Sequence, residues 1–445
     1  MLDKVLQKKS LFWSGAIISI LYALLGIVLY FFDIFWMVKW FWYLFGLAGA
    51  AWLLYLGRKQ TAIRIDPAHL LLVLFMGWYV ISCIAVGLEQ KGDWVKLNTQ
   101  YLADAAICTL FLFPFGCSWM RNRGRAPGLK WILHAVLLGW TLFMAIVLVQ
   151  MFRGQEIPLP NGGLITTNKG NALELNCNQN LTGAWEMVFF LACLYMALRV
   201  KAKALKAVYG VATGIHYMAL VLAGSRTSYL ASMFGFMAMI GIAVWLAAQK
   251  RSTKQRRILT ACAVILSGAA FYFLRGPLYS LFGQIAFPGK EVKAKDMLYK
   301  YSSLLSGREG LWKMSLQAMF RSPKQIIFGV TPASISDLLM QYGAELPTYT
   351  HNEILELILT TGFVGFGLCL AWIILILRDS WRMFFVRKEK TILLCLPVIV
   401  LSLLLANMFE AMLLFYMRLA GYVFFFTAGC IHGYANAKNS PTVPE

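Results

Sequence analysis

Three short stretches of this chain carry residue types that could do chemistry, and all three sit where a polar segment runs into a helical pattern. Tyr349-Thr350-His351-Asn352-Glu353 ends a long polar segment and opens an apolar run. The spacing predicts Thr350 as an N-cap, with Glu353 closing a capping box and His351 in the first helical turn. A histidine titrates near neutral pH, so this one is a candidate general base, catalytic in the sense of taking a proton from a hydroxyl. Ser306-Gly307-Arg308-Glu309 has the same Ser-x-x-Glu box and puts Arg308 in the first turn of a helix running to about Phe320. In Gly224-Ser225-Arg226-Thr227-Ser228, Ser225 is the cap and a candidate donor-binding hydroxyl, and Arg226 is the first helical residue. Helix N-termini gather free N–H groups and the positive dipole end, which favour anions. The guanidinium fork matches a phosphate. Taken singly, each stretch reads equally well as an ordinary capped helix or an interfacial side chain. Together they spell an anion site with a possible base.

A fourth start, Asn178-Gln179-Asn180-Leu181-Thr182, has the same orientation, and Asn178 and Asn180 could add neutral hydrogen bonds to sugar or phosphate. Asn352 adds another beside the histidine. No Asp-x-Asp lies in an outer segment, and a metal site needs convergent carboxylates or histidines, so no metal and no cofactor is expected. There is no phosphate-binding glycine loop for a nucleotide. Asp104, Glu186, His216 and Glu356 fall inside apolar runs, where ionisable groups are costly and must face the protein interior. A proton-coupled transporter would use such residues, and this is the competing reading from another class.

The elements that position these residues are membrane helices. Hydrophobic residues make up 60% of the 445, charged residues only 14%, and mean hydropathy is +0.65, which excludes an ordinary soluble domain. Apolar runs of about 18 residues or more read as spans. They fall at 11–32, 40–57, 68–88, 101–119, 131–152, 181–198, 204–222, 226–248, 258–274, 353–377, 391–409 and 412–431. The fold class expected is all-α and polytopic, with about twelve transmembrane helices. The net charge of +21 lies largely in short loops, such as Arg121/Arg123/Arg125/Lys130 and Lys250/Arg251/Lys254/Arg256/Arg257. Such loops face the cytoplasm and anionic lipid, and no stripe suited to nucleic acid is present. Both termini are then cytoplasmic and the three motifs face out. Residues 1–274 hold nine spans, 275–352 form an outer segment with helical patterns, and 353–445 hold three spans and a short tail. The outer segment reads as a helical cap. The cysteines lie mostly inside apolar runs, without a C-x-x-C pair, as small hydrophobes. The first span follows Lys4, Lys8 and Lys9 without a cleavage site, so it is expected to be retained.

The Ser-Arg pair at 225–226, the Ser-Gly-Arg…Trp of Ser306–Trp312 and the His-Asn-x-x-Leu…Gly-x-x-Gly of His351–Gly365 together resemble the O-antigen ligase and polymerase superfamily. The resemblance covers about 160–365 by motif, and Asn178-Gln179-Asn180 departs from the family's usual Asn-Pro-Asn. It implies a metal-independent, inverting, GT-C-like membrane glycosyltransferase in the bacterial cytoplasmic membrane. Its donor would be a glycan on undecaprenyl diphosphate, held by Arg226 and Arg308. Its acceptor would be a glycan or glycolipid hydroxyl activated by His351. Ligases use lipid A-core as acceptor, polymerases a second lipid-linked repeat, and some relatives a protein hydroxyl.

Overall fold

The computed structural model describes residues 66–87, 94–121, 127–155, 157–158, 164–165, 173, 179–286, 308–344, 349–386, 391–411, 414 and 418–437. The first two expected spans, Asn178, Cys177, Ser306 and both chain ends lie outside the described residues. The architecture is all-helical apart from a two-residue antiparallel pair, Ile157–Pro158 with Leu164–Ile165. In chain order the helices are α1 (Pro67–Gly87), α2 (Trp94–Ala106), α3 (Phe113–Arg121), α4 (Pro127–Phe152), α5 (Gln179–Arg199), α6 (Lys203–Ala223) and α7 (Arg226–Ala247). They continue with α8 (Thr253–Ala286), α9 (Arg308–Met319), α10 (Pro323–Phe328), α11 (Ile335–Gln341), α12 (Glu353–Trp381), α13 (Cys395–Asn407) and α14 (Arg418–Ala435). A π-helical stretch, Ile107–Leu112, joins α2 to α3. Among the described residues, eight helical spans are long and apolar enough to cross a membrane, and two shorter apolar helices, Ile392–Asn407 and Leu419–Ala435, match the last two expected runs.

Burial explains why these sequences are helices of a bundle rather than a soluble core. α5 is buried along most of its length between α6 and α7, and Gly183 lets it approach α7 so closely that a Cβ there would lie 2.3 Å from Cβ of Ser225. Helices at the rim instead turn large apolar side chains outward, as Ile265, Leu266 and Phe273 of α8 do at about 70% exposure. Only lipid makes such a surface stable at this density. The intramembrane ionisable residues face inward as expected: Asp104, Glu186, His216 and Glu356 are all buried. Glu186 accepts from Trp140 Nε1 at 3.1 Å and pairs with His216 Nδ1 at 2.7 Å, and His216 Nε2 meets Thr141 Oγ1 at 3.0 Å.

The end of α8 differs from the sequence expectation. α8 runs past 274 to Ala286 with Pro277 inside it. Its C-terminal turns still bury Tyr279 and stack Phe282 on Phe152 at 5.3 Å, so the packing outweighs the lost hydrogen bond. Within the segment expected to form the cap, the described residues make three short helices, α9 to α11; Pro323 opens α10, and Pro332 opens a 3-10 turn that leads into α11. Ala318, Met319, Val330, Ile335, Leu338 and Leu339 form their small core, closed by Ile358 and Leu359 of α12.

This group of short helices is stitched to α12 at a break in that helix. Gly362 adopts φ +68°, a left-handed conformation that favours glycine, so Leu359 and Thr360 lose their regular acceptor geometry. Their carbonyls accept instead from Val330 N at 2.6 Å and Thr331 N at 3.3 Å, and Thr361 O accepts from Trp78 Nε1 at 2.8 Å. A Cβ at Gly362 would lie 2.0 Å from the Ile327 carbonyl oxygen. Gly362→Ala therefore meets both a strained φ and backbone it cannot displace. We expect a destabilisation on the order of 2 kcal/mol or more, read as a lower Tm and less monodisperse protein in detergent. An unchanged Tm would show that α12 can straighten without cost.

Candidate active site

The site is assembled at the start of α12. Asn352 is the N-cap, not Thr350: its Oδ1 accepts from Ile354 N at 2.9 Å and Leu355 N at 3.1 Å, and Glu353 is the first helical residue. Thr350 is drawn instead to Glu356 Oε2, which meets its backbone N at 2.9 Å and its hydroxyl at 2.6 Å. Glu353, the expected partner of a capping box, accepts from Leu414 N at 3.2 Å. The shift has a local cause. Asn outranks Thr as a cap, and Glu356, one helical turn further on, reaches back where Glu353 cannot.

The consequence falls on His351. It stands before the helix, in the left-handed region at φ +52°, rather than in the first turn. That conformation costs a non-glycine residue on the order of 1 kcal/mol or more, and the surroundings fix it. The Asn352 side chain caps the helix on one side and donates from Nδ2 to Met408 O at 3.0 Å on the other. The His351 ring is thereby turned onto Glu410, with Nδ1 2.6 Å from Oε1. The Tyr349 ring lies over it, centroids 4.1 Å apart, and the Tyr349 hydroxyl donates to the same oxygen at 2.5 Å.

Arg308 opens α9 and comes to the other oxygen of the same carboxylate, Nη2 to Glu410 Oε2 at 2.9 Å. Its Nη1 donates to the Phe409 carbonyl and lies 3.5 Å from Thr227 Oγ1. Thr227 follows Arg226, so the start of α7 meets the start of α9 here. Trp312, one turn along α9 on the same face, donates from Nε1 to Thr350 O at 3.0 Å. This explains the arginine-to-tryptophan spacing: one residue meets the carboxylate while the other holds the segment leading into His351.

Three of the expected site segments therefore converge: Arg308, His351 with Asn352, and the turn bearing Arg226. Two expected ligands are placed differently. The Ser225 hydroxyl is buried against Gly183 and donates to Ser228 Oγ at 3.1 Å, so it packs α7 on α5. Both ends of the Asn352 amide are engaged, one on the helix and one on Met408, so it positions His351 and the Met408–Glu410 turn. Asn180 is the second residue of α5, half-buried and one turn before Gly183.

The residue that sequence reasoning missed is Glu410. It is fully buried and is the common partner of Arg308, His351 and Tyr349. A signal was available, since one acidic residue stands between two apolar runs, 391–409 and 412–431, where ionisable groups are rare and functional. The arrangement has a definite chemical capability. With Nδ1 donating to the carboxylate, a neutral imidazole carries its lone pair on Nε2. The side chains of His351 and Arg308 remain 19% and 13% exposed, while Glu410 is at 0%. The imidazole and the guanidinium thus stay partly accessible, and the carboxylate that pairs with both is sealed from water.

Residues 209–370 match the family model described as O-antigen ligase. That stretch carries Arg226, Arg308, His351 and the glycines of the α12 break. Glu410 lies beyond it. No curated protein matches the chain.

Proposed function

We propose that this chain, whose residues 209–370 match the O-antigen ligase family model, transfers a glycan from undecaprenyl diphosphate to a hydroxyl of lipid A-core. The reading places the reaction at the outer face of a bacterial cytoplasmic membrane, with inversion at the anomeric carbon and no divalent ion in the transfer. One observation carries it most: a buried carboxylate, Glu410, holds a histidine on one oxygen and an arginine on the other. Acyl or phosphoryl transfer would need a nucleophile or a nucleotide cradle. Glycosyl transfer from a diphosphate needs only a base for the acceptor and positive charge for the leaving group.

In this mechanism the acceptor O–H gives its proton to Nε2 of His351 as its oxygen bonds to the anomeric carbon. The bond from that carbon to the diphosphate oxygen breaks, and the developing negative charge falls to Arg226 and Arg308. Glu410 holds the imidazole tautomer and orientation, and steadies the imidazolium that forms. Asn180, at the start of α5, is assigned a neutral hydrogen bond to the donor, and Asn178 is assigned the same role. Asn352 fixes the helix start rather than touching substrate.

The direct test is reconstitution of the purified protein with an undecaprenyl diphosphate-linked glycan and each acceptor in turn. Transfer to lipid A-core is the expected result. Transfer only to a second lipid-linked repeat would make the protein a polymerase, and transfer only to a protein hydroxyl an oligosaccharyltransferase. Absence of transfer to all three would overturn the glycosyltransferase reading. The transporter reading is separated by the buried pair. Because Glu186 and His216 are closed on each other, Trp140 and Thr141, Glu186→Gln and His216→Gln should lower the yield or Tm of folded protein more than turnover per folded molecule. If instead they abolish function in well-folded protein while Arg226→Ala and Arg308→Ala are tolerated, proton-coupled transport is the better account.

A further inference from the structure

At the far end of α12 from His351, about 40 Å away by helical rise, a second cluster of titratable side chains has no role in glycosyl transfer. Asp66 immediately precedes α1. Its Oδ1 is 2.8 Å from Nδ1 of His69, and its Oδ2 is 2.8 Å from Nε2 of His432 in α14. His432 Nδ1 is 2.6 Å from Oδ2 of Asp379, near the end of α12. The other Asp379 oxygen faces Arg378 Nη2 at 3.1 Å and Arg382 Nη1 at 3.7 Å. His69 and His432 are buried, and Asp66 keeps 21% exposure.

Proton counting makes this cluster unusual. Both ring nitrogens of His432 face carboxylate oxygens, yet a neutral imidazole has one N–H. An imidazolium donating to both would satisfy this geometry, and so would a metal ion bound to Nε2 beside Asp66 with the proton kept on Nδ1 toward Asp379. We propose that Asp66, His69 and His432 form a binding site for a first-row divalent metal ion, of which Zn²⁺ is the best fit. One ligand atom from each residue lies within 4.8 Å of the others, and each histidine nitrogen is 2.8 Å from a different oxygen of Asp66. That range brackets the roughly 3.3 Å between ligand atoms of a tetrahedral zinc site with bonds near 2.0–2.1 Å. Two imidazoles and one carboxylate are a donor set zinc accepts, and the exposure of Asp66 leaves room for water as a fourth ligand. Asp379 supplies what metal-bound histidines commonly need, a carboxylate on the other ring nitrogen that fixes tautomer and orientation.

The ion would clamp the start of α1 to the end of α14, and through Asp379 to the end of α12. It is a staple between helix ends, away from the diphosphate chemistry. Spacing alone gave no hint of it, because His432 and Asp66 are 366 residues apart.

The test uses the full chain in detergent, purified without a polyhistidine tag, stripped with EDTA and titrated with ZnCl₂. We expect about one zinc per chain, as for a single three-residue site completed by water, and a rise in Tm on reloading. Asp66→Asn and His69→Gln should cut the bound zinc to about a tenth or less, while His351→Gln keeps it. The wild-type Tm response needs no variant to fold. If the stripped wild type gains neither zinc nor Tm, the cluster is a proton-bridged network and the proposal is wrong. Zinc retained at the wild-type level in folded His69→Gln would also overturn it, because the ion would then sit elsewhere.

Discussion

His351→Ala is expected to lower turnover by roughly 10²–10⁴-fold, the usual contribution of a general base, and to leave donor binding nearly intact. A sugar hydroxyl is a weak nucleophile at neutral pH, whereas the diphosphate is already a good leaving group. The demand is therefore on the acceptor side. His351 answers it because its Nδ1 is committed to Glu410 at 2.6 Å, which leaves Nε2 as the basic atom. Glu410→Gln tests the same claim from behind. The amide keeps the size but cannot accept from both His351 and Tyr349 while pairing with Arg308. Turnover should fall about 10-fold or more, the equivalent of one lost charged hydrogen bond, with a smaller change in donor affinity. Donor binding and turnover need to be measured separately on each purified variant. Loss of binding together with turnover in His351→Ala would make the histidine a diphosphate ligand. Wild-type turnover in that variant would remove His351 from the chemistry altogether.

Arg308→Lys keeps the charge and should still lose most of the activity. The guanidinium reaches Glu410 Oε2 from one nitrogen and the Phe409 carbonyl from another, with Thr227 Oγ1 close by. It thus locks the 409–410 turn to the start of α9 and places its fork beside the turn that carries Arg226. A lysine ammonium cannot hold these planar directions together. Two lost charged hydrogen bonds, at about 1.5–3 kcal/mol each, correspond to a loss of roughly 10²-fold or more, and Arg308→Ala should lose more. Because Glu410 would be left buried without its cation, the measurement should pair specific activity with Tm. A fully active Arg308→Lys protein would show that only the charge matters. An inactive variant with wild-type Tm would put the loss in the transition state rather than in folding.

The sequence by itself determined the class and the motifs. Helical apolar runs are a local property, since each span must satisfy its own backbone within lipid. The runs from 68 to 274 and from 353 onward therefore reappear as helices close to where composition puts them. The arginine at the start of α9, the Ser-Arg pair at α7 and the histidine at the mouth of α12 were legible for the same reason, because helix starts are written within a few residues. Even there the register slipped. Whether Thr350 or Asn352 caps α12 depends on Glu356 competing for the threonine, and the two-position difference moves His351 out of the helix into a left-handed turn. The glycines of the His351–Gly365 motif could be seen as a pattern, but the reason for Gly362 is the Ile327 carbonyl oxygen that comes to lie where its Cβ would be. Only the tertiary structure decided which charges share a site. Glu410 meets Arg308 and His351 across separations of 102 and 59 residues, and Asp66 meets His432 across 366. Pairings of that length are set by helix packing in three dimensions, and no spacing rule along the chain encodes them.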